Sequence, residues 1–588
     1  MNIYAERIEI LREYMRRNNL DAVILYGIDP HCSEYVSDRW KQIEWLTGFT
    51  GEAAELVVTA NYAGLWTDSR YFIQANAQLE GTGVELHKTR IPGAVSPENW
   101  LIDNLCSESI IGIDSLCTTV SRKNKLAKSF ELSLIPDLID AIWKDRPAIP
   151  NTPIFGVSTG ESPSDKIAFL RNFLDKEHCT HILLTALDEI AWVLNMRASD
   201  IEYNPLVISY LLISQEDAKW FTVKGELTDD TQSELEFLEK DSGVQILPYY
   251  EINSELGDLE PDSIVFADLN TLNADVADAI KCPLVPGISP VILKKAQKNE
   301  FEIRSMRECH VQDGVAMENF LYWLDKRIRE NDIPSEREAA DKLQSLRSEI
   351  EDYMGDSFEC ISACGSNAAM PHYITPKDDD RHMPPFGLYL NDSGGQYLSG
   401  TTDITRTVPL GECLPQEKEA YTLVLKAHIG LATAVFPTGT PGCRVDAAAR
   451  LALWRHLYDF GHGTGHGVGF FSGVHEGPTQ IRQNMSDSPL LNGMILSDEP
   501  GIYSEGNFGI RLENLYLVED AGSSEFGTFS KFTPLTVCHF DTSIVVRELL
   551  DPWEIEWLNN YNQMVYDTLC DYLEPDVRIW LEEKTRNI

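Results

Sequence analysis

Two stretches of this chain carry the same order of signals. Ile8, Leu11, Met15 and Leu20 stand at near-helical spacing and lead into the apolar run Ala22-Val23-Ile24-Leu25-Tyr26. Further on, Phe169-Leu170-Arg171-Asn172-Phe173-Leu174 leads into His181-Ile182-Leu183-Leu184-Thr185. Each strand is followed by a tryptophan set among apolar residues, in Lys41-Gln42-Ile43-Glu44-Trp45-Leu46-Thr47-Gly48 and in Asp188-Glu189-Ile190-Ala191-Trp192-Val193-Leu194-Asn195. A helix feeding a short apolar strand predicts an α/β domain. Its recurrence predicts a duplicated α/β lobe, with chance similarity of two buried-tryptophan segments as the alternative.

Prolines at 147, 150, 153 and 163 predict a linker from Lys144 to about Pro163. A second Pro/Gly stretch, Cys282-Pro283-Leu284-Val285-Pro286-Gly287-Ile288-Ser289-Pro290, precedes a long helix expected over Lys298 to Lys326. The 588 residues thus divide at 1–150, 151–290 and 291–588. Each part is long enough to bury its own core.

Hydrophobic residues are 43% and charged residues 24%, as in soluble globular chains, and no run approaches the roughly 18 apolar residues of a membrane span. Lys and Arg number 49 against 92 Asp and Glu, a net charge of −43. Such a surface repels phosphate backbones and anionic lipid, which excludes nucleic acid and membrane as partners. The 12 cysteines are scattered without a C-x-x-C pair, as expected of reduced thiols in a cytoplasmic protein. Met1-Asn2-Ile3-Tyr4-Ala5-Glu6-Arg7 lacks the apolar core of a signal peptide, so the sequon at Asn484-Met485-Ser486 is expected to stay unmodified.

Two motifs mislead. Gly156-Val157-Ser158-Thr159-Gly160 spells a nucleophile elbow but lies in the proline-rich linker, without the core strand and helix that an elbow needs. Gly461-His462-Gly463-Thr464-Gly465-His466-Gly467-Val468-Gly469 looks like a nucleotide loop but lacks the Lys-Ser/Thr that would complete one.

The chemistry concentrates elsewhere. Phe386-Gly387-Leu388-Tyr389-Leu390 reads as a strand running into Asn391-Asp392-Ser393-Gly394, and Thr401-Thr402-Asp403-Ile404-Thr405-Arg406-Thr407 reads as its hairpin partner. Asp392 and Asp403 would then stand side by side, two carboxylates that repel unless a hard cation neutralises them. His466, Glu499 (in Ser497-Asp498-Glu499-Pro500-Gly501) and Glu513 (in Arg511-Leu512-Glu513-Asn514) complete a set of four acids and one imidazole. Four negative charges balance two divalent ions, and such donors suit Mn²⁺, Co²⁺ or Zn²⁺. Two ions sharing carboxylates could activate a water near neutral pH.

These motifs, with Val474-His475-Glu476-Gly477-Pro478 and Gly509-Ile510-Arg511-Leu512-Glu513-Asn514, resemble the pita-bread metallopeptidases. More narrowly, the whole chain resembles the long, three-domain Xaa-Pro aminopeptidases. Trp66-Thr67-Asp68-Ser69-Arg70-Tyr71-Phe72 and Trp143-Lys144-Asp145-Arg146-Pro147 resemble their N-terminal lobe. The resemblance implies an α/β chain: two related creatinase-like lobes, then a pita-bread catalytic domain. It implies Asp392, Asp403, His466, Glu499 and Glu513 as metal ligands, with Asp403 and Glu513 bridging two ions, Mn²⁺ foremost. It implies that His372, His462 and His475 line the site and that Arg511 belongs to it. Two departures stand out: Glu52-Ala53-Ala54 replaces the family's Ser-Ala-Gly, and Pro371 precedes His372.

The activity so implied is removal of an N-terminal residue from peptides with proline second, by a cytoplasmic homodimer. Glu499 would carry the proton and His475 would stabilise the oxyanion. The alternatives are an Xaa-Pro dipeptidase, against which the second lobe argues, and a non-catalytic peptide-binding relative, which would be expected to lose ligands. Residues 1 to about 290 hold no candidate ligand set, so access control or dimer contacts are expected of them.

Overall fold

The computed structural model describes residues 2–223, 229–376 and 381–588. The chain divides into two compact units, residues 1–292 and 293–588.

The first unit holds two six-stranded sheets, beside a short antiparallel pairing of Phe155–Gly156 with Met196–Arg197. Helix α1 (Ile3–Arg17) leads into β1 (Ala22–Tyr26), every residue of which is buried. Burial on both faces is why its sequence is an unbroken apolar run and not an alternation. The short helix α2 (Gln42–Thr47) follows, then β2 (Glu55–Thr59), β3 (Ala63–Thr67), β4 (Glu85–Lys88), β5 (Ile110–Asp114) and β6 (Glu131–Ile135). The sheet runs β4-β3-β2-β1-β5-β6.

The second sheet repeats the plan. Helix α3 (Pro163–Glu177) precedes β7 (His181–Leu184), and α4 (Leu187–Leu194) follows it. The remaining strands are β8 (Ser209–Ser214), β9 (Ala218–Thr222), β10 (Val244–Pro248), β11 (Val265–Ala267) and β12 (Leu284–Pro286). Their order is β10-β9-β8-β7-β11-β12. Each pairing has the same sense as its counterpart in the first sheet: parallel, antiparallel, antiparallel, parallel, parallel. The repeated signals in the sequence are therefore a repeated topology. One expectation changes. The Pro/Gly stretch read as a separator contributes β12, an edge strand, where proline's missing N–H faces no neighbour. Ser158 is exposed, and α3 opens only at Pro163, so the elbow-like motif forms no strand-to-helix turn.

In the second unit α5 (Glu300–Arg329) starts at Asn299. The Asn299 side chain accepts from the backbone of Phe301 and Glu302, while Glu302 reaches back to the Asn299 N–H. This reciprocal cap contributes about 1 kcal/mol and fixes where the helix begins. The strands are β13 (Tyr353–Asp356), β14 (Ile361–Cys364), β15 (Leu388–Ser393), β16 (Gly395–Tyr397), β17 (Gly400–Thr401) and β18 (Ile404–Pro409). They continue with β19 (Val435–Pro437), β20 (Gly465–Gly467), β21 (Glu476–Ile481), β22 (Ile495–Asp498), β23 (Gly501–Ser504), β24 (Phe508–Arg511), β25 (Asn514–Ser524) and β26 (Gly527–Pro534). The sheets are β14-β15-β18, β13-β16-β17, the hairpin β23-β24, and a six-stranded β19-β26-β25-β22-β20-β21.

The expected hairpin is more elaborate than predicted. β15 and β18 do pair, with Asp392 opposite Thr405, but the connection peels off into β16 and β17 of another sheet, and Asp403 lies just ahead of β18. The glycine-rich segment proves to be a close-packed strand. A Cβ on Gly465 would stand 2.0 Å from the Ser497 carbonyl oxygen, and one on Gly467 2.4 Å from that of Glu476. Only glycine lets β20 press this tightly between its neighbours.

Candidate active site

The five candidate ligands come from two sheets. Asp392 is on β15, Asp403 lies just ahead of β18, His466 sits on β20, Glu499 follows β22 and Glu513 precedes β25. Yet they converge. Asp403 Oδ2 and Glu499 Oε1 each lie 3.4 Å from His466 Nε2. Donor atoms of Asp403, His466 and Glu513 all fall within 4.8 Å of one another. His466 Nδ1 is 3.0 Å from the Gly467 carbonyl. A carbonyl only accepts, so Nδ1 carries the proton there and Nε2 faces the carboxylates.

This set is electrostatically incomplete without a cation. Burial raises the Asp392 and Glu499 carboxyls above their ordinary range, and neighbouring carboxylates, Asp403 among them, push the same way. Glu513 is raised further, by burial and then by Asp403, Asp392 and Glu499. Burial alone would lower His466, but the Asp403 hydrogen bond and the Glu499 charge lift it to about 9. Among the described residues, Asp392 Oδ1 is buried without a hydrogen-bond partner. Clustered acids, an imidazole nitrogen aimed at them and an orphaned carboxylate oxygen are what a hard or borderline cation would satisfy, so the residues present fit a metal centre.

Arg511 fixes the other oxygen of Asp392. Its Nε lies 3.1 Å from Oδ2, and Nη2 donates to the same atom. Nη1 donates to the Tyr503 hydroxyl at 2.7 Å, which stands 2.8 Å from His462 Nε2. His462 Nδ1 donates to the Gly463 carbonyl, 2.7 Å away, so Nε2 accepts the Tyr503 O–H. Burial keeps this imidazole neutral, holding its pKa well below the usual value.

His475 stacks edge-on against His466 with ring centroids 4.4 Å apart. Its turn is anchored by the next residue: Glu476 accepts from Lys298 at 2.6 Å and lies 3.2 Å from Lys295, all three buried. Pro371 offers its carbonyl to Arg511 Nη2 at 3.3 Å, which ties the His372 loop to the same cluster.

Residues 304–520 match metallopeptidase family M24, and 528–588 match the C-terminal region of that family. Residues 7–142 and 145–302 each match a creatinase/prolidase N-terminal domain. Aminopeptidase P1 of Arabidopsis thaliana is 36% identical over 99% of this chain and 99% of its own. The chain belongs to the M24 metallopeptidases, among the aminopeptidases P.

The M24 assignment fits the solved structures. The crystal structure of X-prolyl aminopeptidase from Caenorhabditis elegans, a cytosolic enzyme with a di-nuclear active site, is similar over 100% of both chains, at 35% identity and TM-score 0.95. The Xaa-Pro dipeptidase from Bacillus anthracis is similar over 64% of this chain and 98% of its own, at 25% identity and TM-score 0.51. The expected architecture, two creatinase-like α/β lobes and a pita-bread domain, is the one found.

Sequence reasoning missed three residues of this candidate site. Tyr503 joins Arg511 to His462. Thr405 donates to Glu513 Oε2 at 2.7 Å. Ser497 donates to Glu499 Oε1 at 3.3 Å and accepts from the His466 backbone at 3.0 Å. Each is one or two positions along a strand from a residue already singled out, or two beyond Pro-Gly, and that proximity was the available signal.

Proposed function

We propose that this chain is a dinuclear-metal aminopeptidase that releases the N-terminal residue from peptides with proline second. The observation that carries the reading is the convergence of acidic side chains from two sheets around His466 Nε2. Asp392, Asp403, His466, Glu499 and Glu513 would hold two divalent ions, with Asp403 and Glu513 shared. The oxygen-rich set suits Mn²⁺, with Zn²⁺ or Co²⁺ as alternatives. Bound there, the ions would supply Lewis acidity toward a water and a carbonyl.

The chain's own groups supply the rest. Glu499 holds one oxygen toward Ser497 and His466, and the other 3.8 Å from His462. From that position the carboxylate takes the proton released by the attacking water and passes it to the proline nitrogen as the C–N bond breaks. That transfer is needed because an amide nitrogen, proline's included, leaves only once it has gained a proton. His475 donates an N–H to the scissile oxygen as negative charge develops on it. Arg511 and Tyr503 keep Asp392 and His462 in place, and His372 reaches the substrate from its loop.

The dipeptidase alternative is disfavoured because about a third of this chain lies outside the match to the Bacillus anthracis enzyme. A cytosolic location and a homodimer complete the proposal. The first follows the Caenorhabditis elegans enzyme and the free state of all cysteines. The second rests on the family resemblance, and light scattering tests it.

The deciding assay compares Arg-Pro-Pro, Arg-Pro and Arg-Ala-Ala with added Mn²⁺. Cleavage of the first well above the other two is expected. Equal cleavage of Arg-Ala-Ala would overturn proline selectivity, and cleavage of Arg-Pro alone would make the chain a dipeptidase.

A further inference from the structure

Arg406 is 1% exposed and, among the described residues, makes no hydrogen bond to a carboxylate. Nε donates to the His539 carbonyl at 2.9 Å, and Nη1 to the carbonyls of Thr405 at 2.9 Å and Glu513 at 2.7 Å. Nη2 donates to Asn514 Oδ1 at 2.8 Å and the Cys538 carbonyl at 2.6 Å, with the Tyr561 hydroxyl at 3.5 Å. A guanidinium has five N–H donors, and these five close contacts use them all. The Phe540 ring lies against its face, 4.1 Å from guanidinium carbon to centroid. Burying a charge this way is costly, so the site has a structural reason to keep it.

That reason is where the five contacts fall. Thr405 and Thr407 alternate along one face of β18, just past Asp403, and Arg406 points to the other. It therefore grips from behind the carboxylate cluster. Asp403 immediately precedes its own strand. Two of its acceptors, the Glu513 carbonyl and the Asn514 side chain, belong to the start of β25, on the other sheet. Glu513 N–H also reaches the Thr405 carbonyl at 3.1 Å and Thr405 Oγ1 reaches Glu513 Oε2 at 2.7 Å, while Thr405 and Thr407 bond Arg511 of the β23–β24 hairpin.

We propose that Arg406 is a positioning residue that sets the separation of Asp403 and Glu513 by riveting the two sheets that carry them. The inference rests on the metal reading above. Arg406→Lys keeps the charge but offers three donors on a flexible stem, without the fixed fork. It should leave the first ion's affinity close to wild type and weaken the second by about 10–100-fold, the cost usual for a residue supporting ligands from behind. With both ions saturating, kcat should fall while KM holds. A purely structural role would lower the melting temperature and leave both affinities alike.

The experiment is calorimetric titration of Mn²⁺ into chelator-stripped full-length protein, for wild type, Arg406→Lys and Asn514→Ala. The second variant removes one acceptor across the seam and carries the test if the first does not fold. Its second-ion affinity should fall in the same direction, by less. Wild-type protein that takes up fewer than two ions would overturn the dinuclear reading, and this inference with it. Wild-type protein that takes up two, matched in both affinities by every folded variant, would overturn the positioning role alone.

Discussion

Arg511 occupies one oxygen of Asp392 and leaves the other bare. Nε and Nη2 both donate to Oδ2, while Oδ1 is buried with no hydrogen-bond partner among the described residues. The guanidinium therefore fixes the direction in which the free oxygen points. Arg511→Gln would leave Asp392 buried and unpaired, at a cost of about 3–5 kcal/mol of stability. The expected result is a loss of kcat/KM on the order of 10²-fold, because a displacement of about 1 Å at a reacting centre costs that much. Steady-state kinetics on Arg-Pro-Pro beside thermal melts checks both effects, and unchanged kcat/KM in a folded variant would remove Arg511 from the site.

Asp403→Ala should abolish activity and strip metal, since it removes a carboxylate 3.4 Å from His466 Nε2 that is one of the two proposed as shared. Elemental analysis after gel filtration gives the ion content directly. Wild-type turnover with an intact fold by circular dichroism would end the dinuclear reading.

His475→Ala should behave differently. Its ring touches His466 edge-on and is assigned to the developing oxyanion, not to the metal. Loss of one such donor typically lowers kcat by about 10²- to 10³-fold. Metal content should stay at the wild-type level, and a missing ion in this variant would make His475 a ligand.

A fourth prediction concerns the first sheet. Burial pushes the Asp68 carboxyl up, but the Arg70 fork, at 2.9 Å to each oxygen, and the Arg90 charge outweigh it and hold the group at about 2. A carboxyl lowered on folding stabilises above its unfolded pKa of about 3.9 and loses that contribution as pH falls through the folded value. The shift corresponds to about 2 kcal/mol at neutral pH. Asp68→Asn should thus be less stable than wild type by that order at pH 7, with the gap narrowing from about pH 4 down to about pH 2. Urea denaturation at pH 7 and pH 3 measures it, and an equal gap at both would refute the ion-pair account.

Much of this was legible in the residues. Ala22–Tyr26 reads as a strand residue for residue because burial on both faces leaves no alternation to misread. The site residues were legible because acids and histidines beside glycine and proline leave few structural explanations when taken together. Other features depend on tertiary context. β12 hides in a proline-rich stretch because an edge strand tolerates what a central one does not. β16 and β17 interrupt what reads in the sequence as a single hairpin, since pairing partners far along the chain decide which sheet a strand joins. Arg406 reads as an ordinary strand residue, and its five acceptors, spread from Thr405 to His539, become neighbours only in the folded chain.

The same long reach has a consequence during synthesis on the ribosome. Asp392 and Asp403 emerge early in the catalytic unit, but Glu513 comes 110 positions after Asp403, and the carbonyls that saturate Arg406 lie later still, at Cys538 and His539. A partly translated chain holds one half of the carboxylate cluster and none of the other. Peptide hydrolysis is therefore withheld from nascent chains and from fragments truncated before about residue 540, and activity reports that nearly the whole chain has been made and docked.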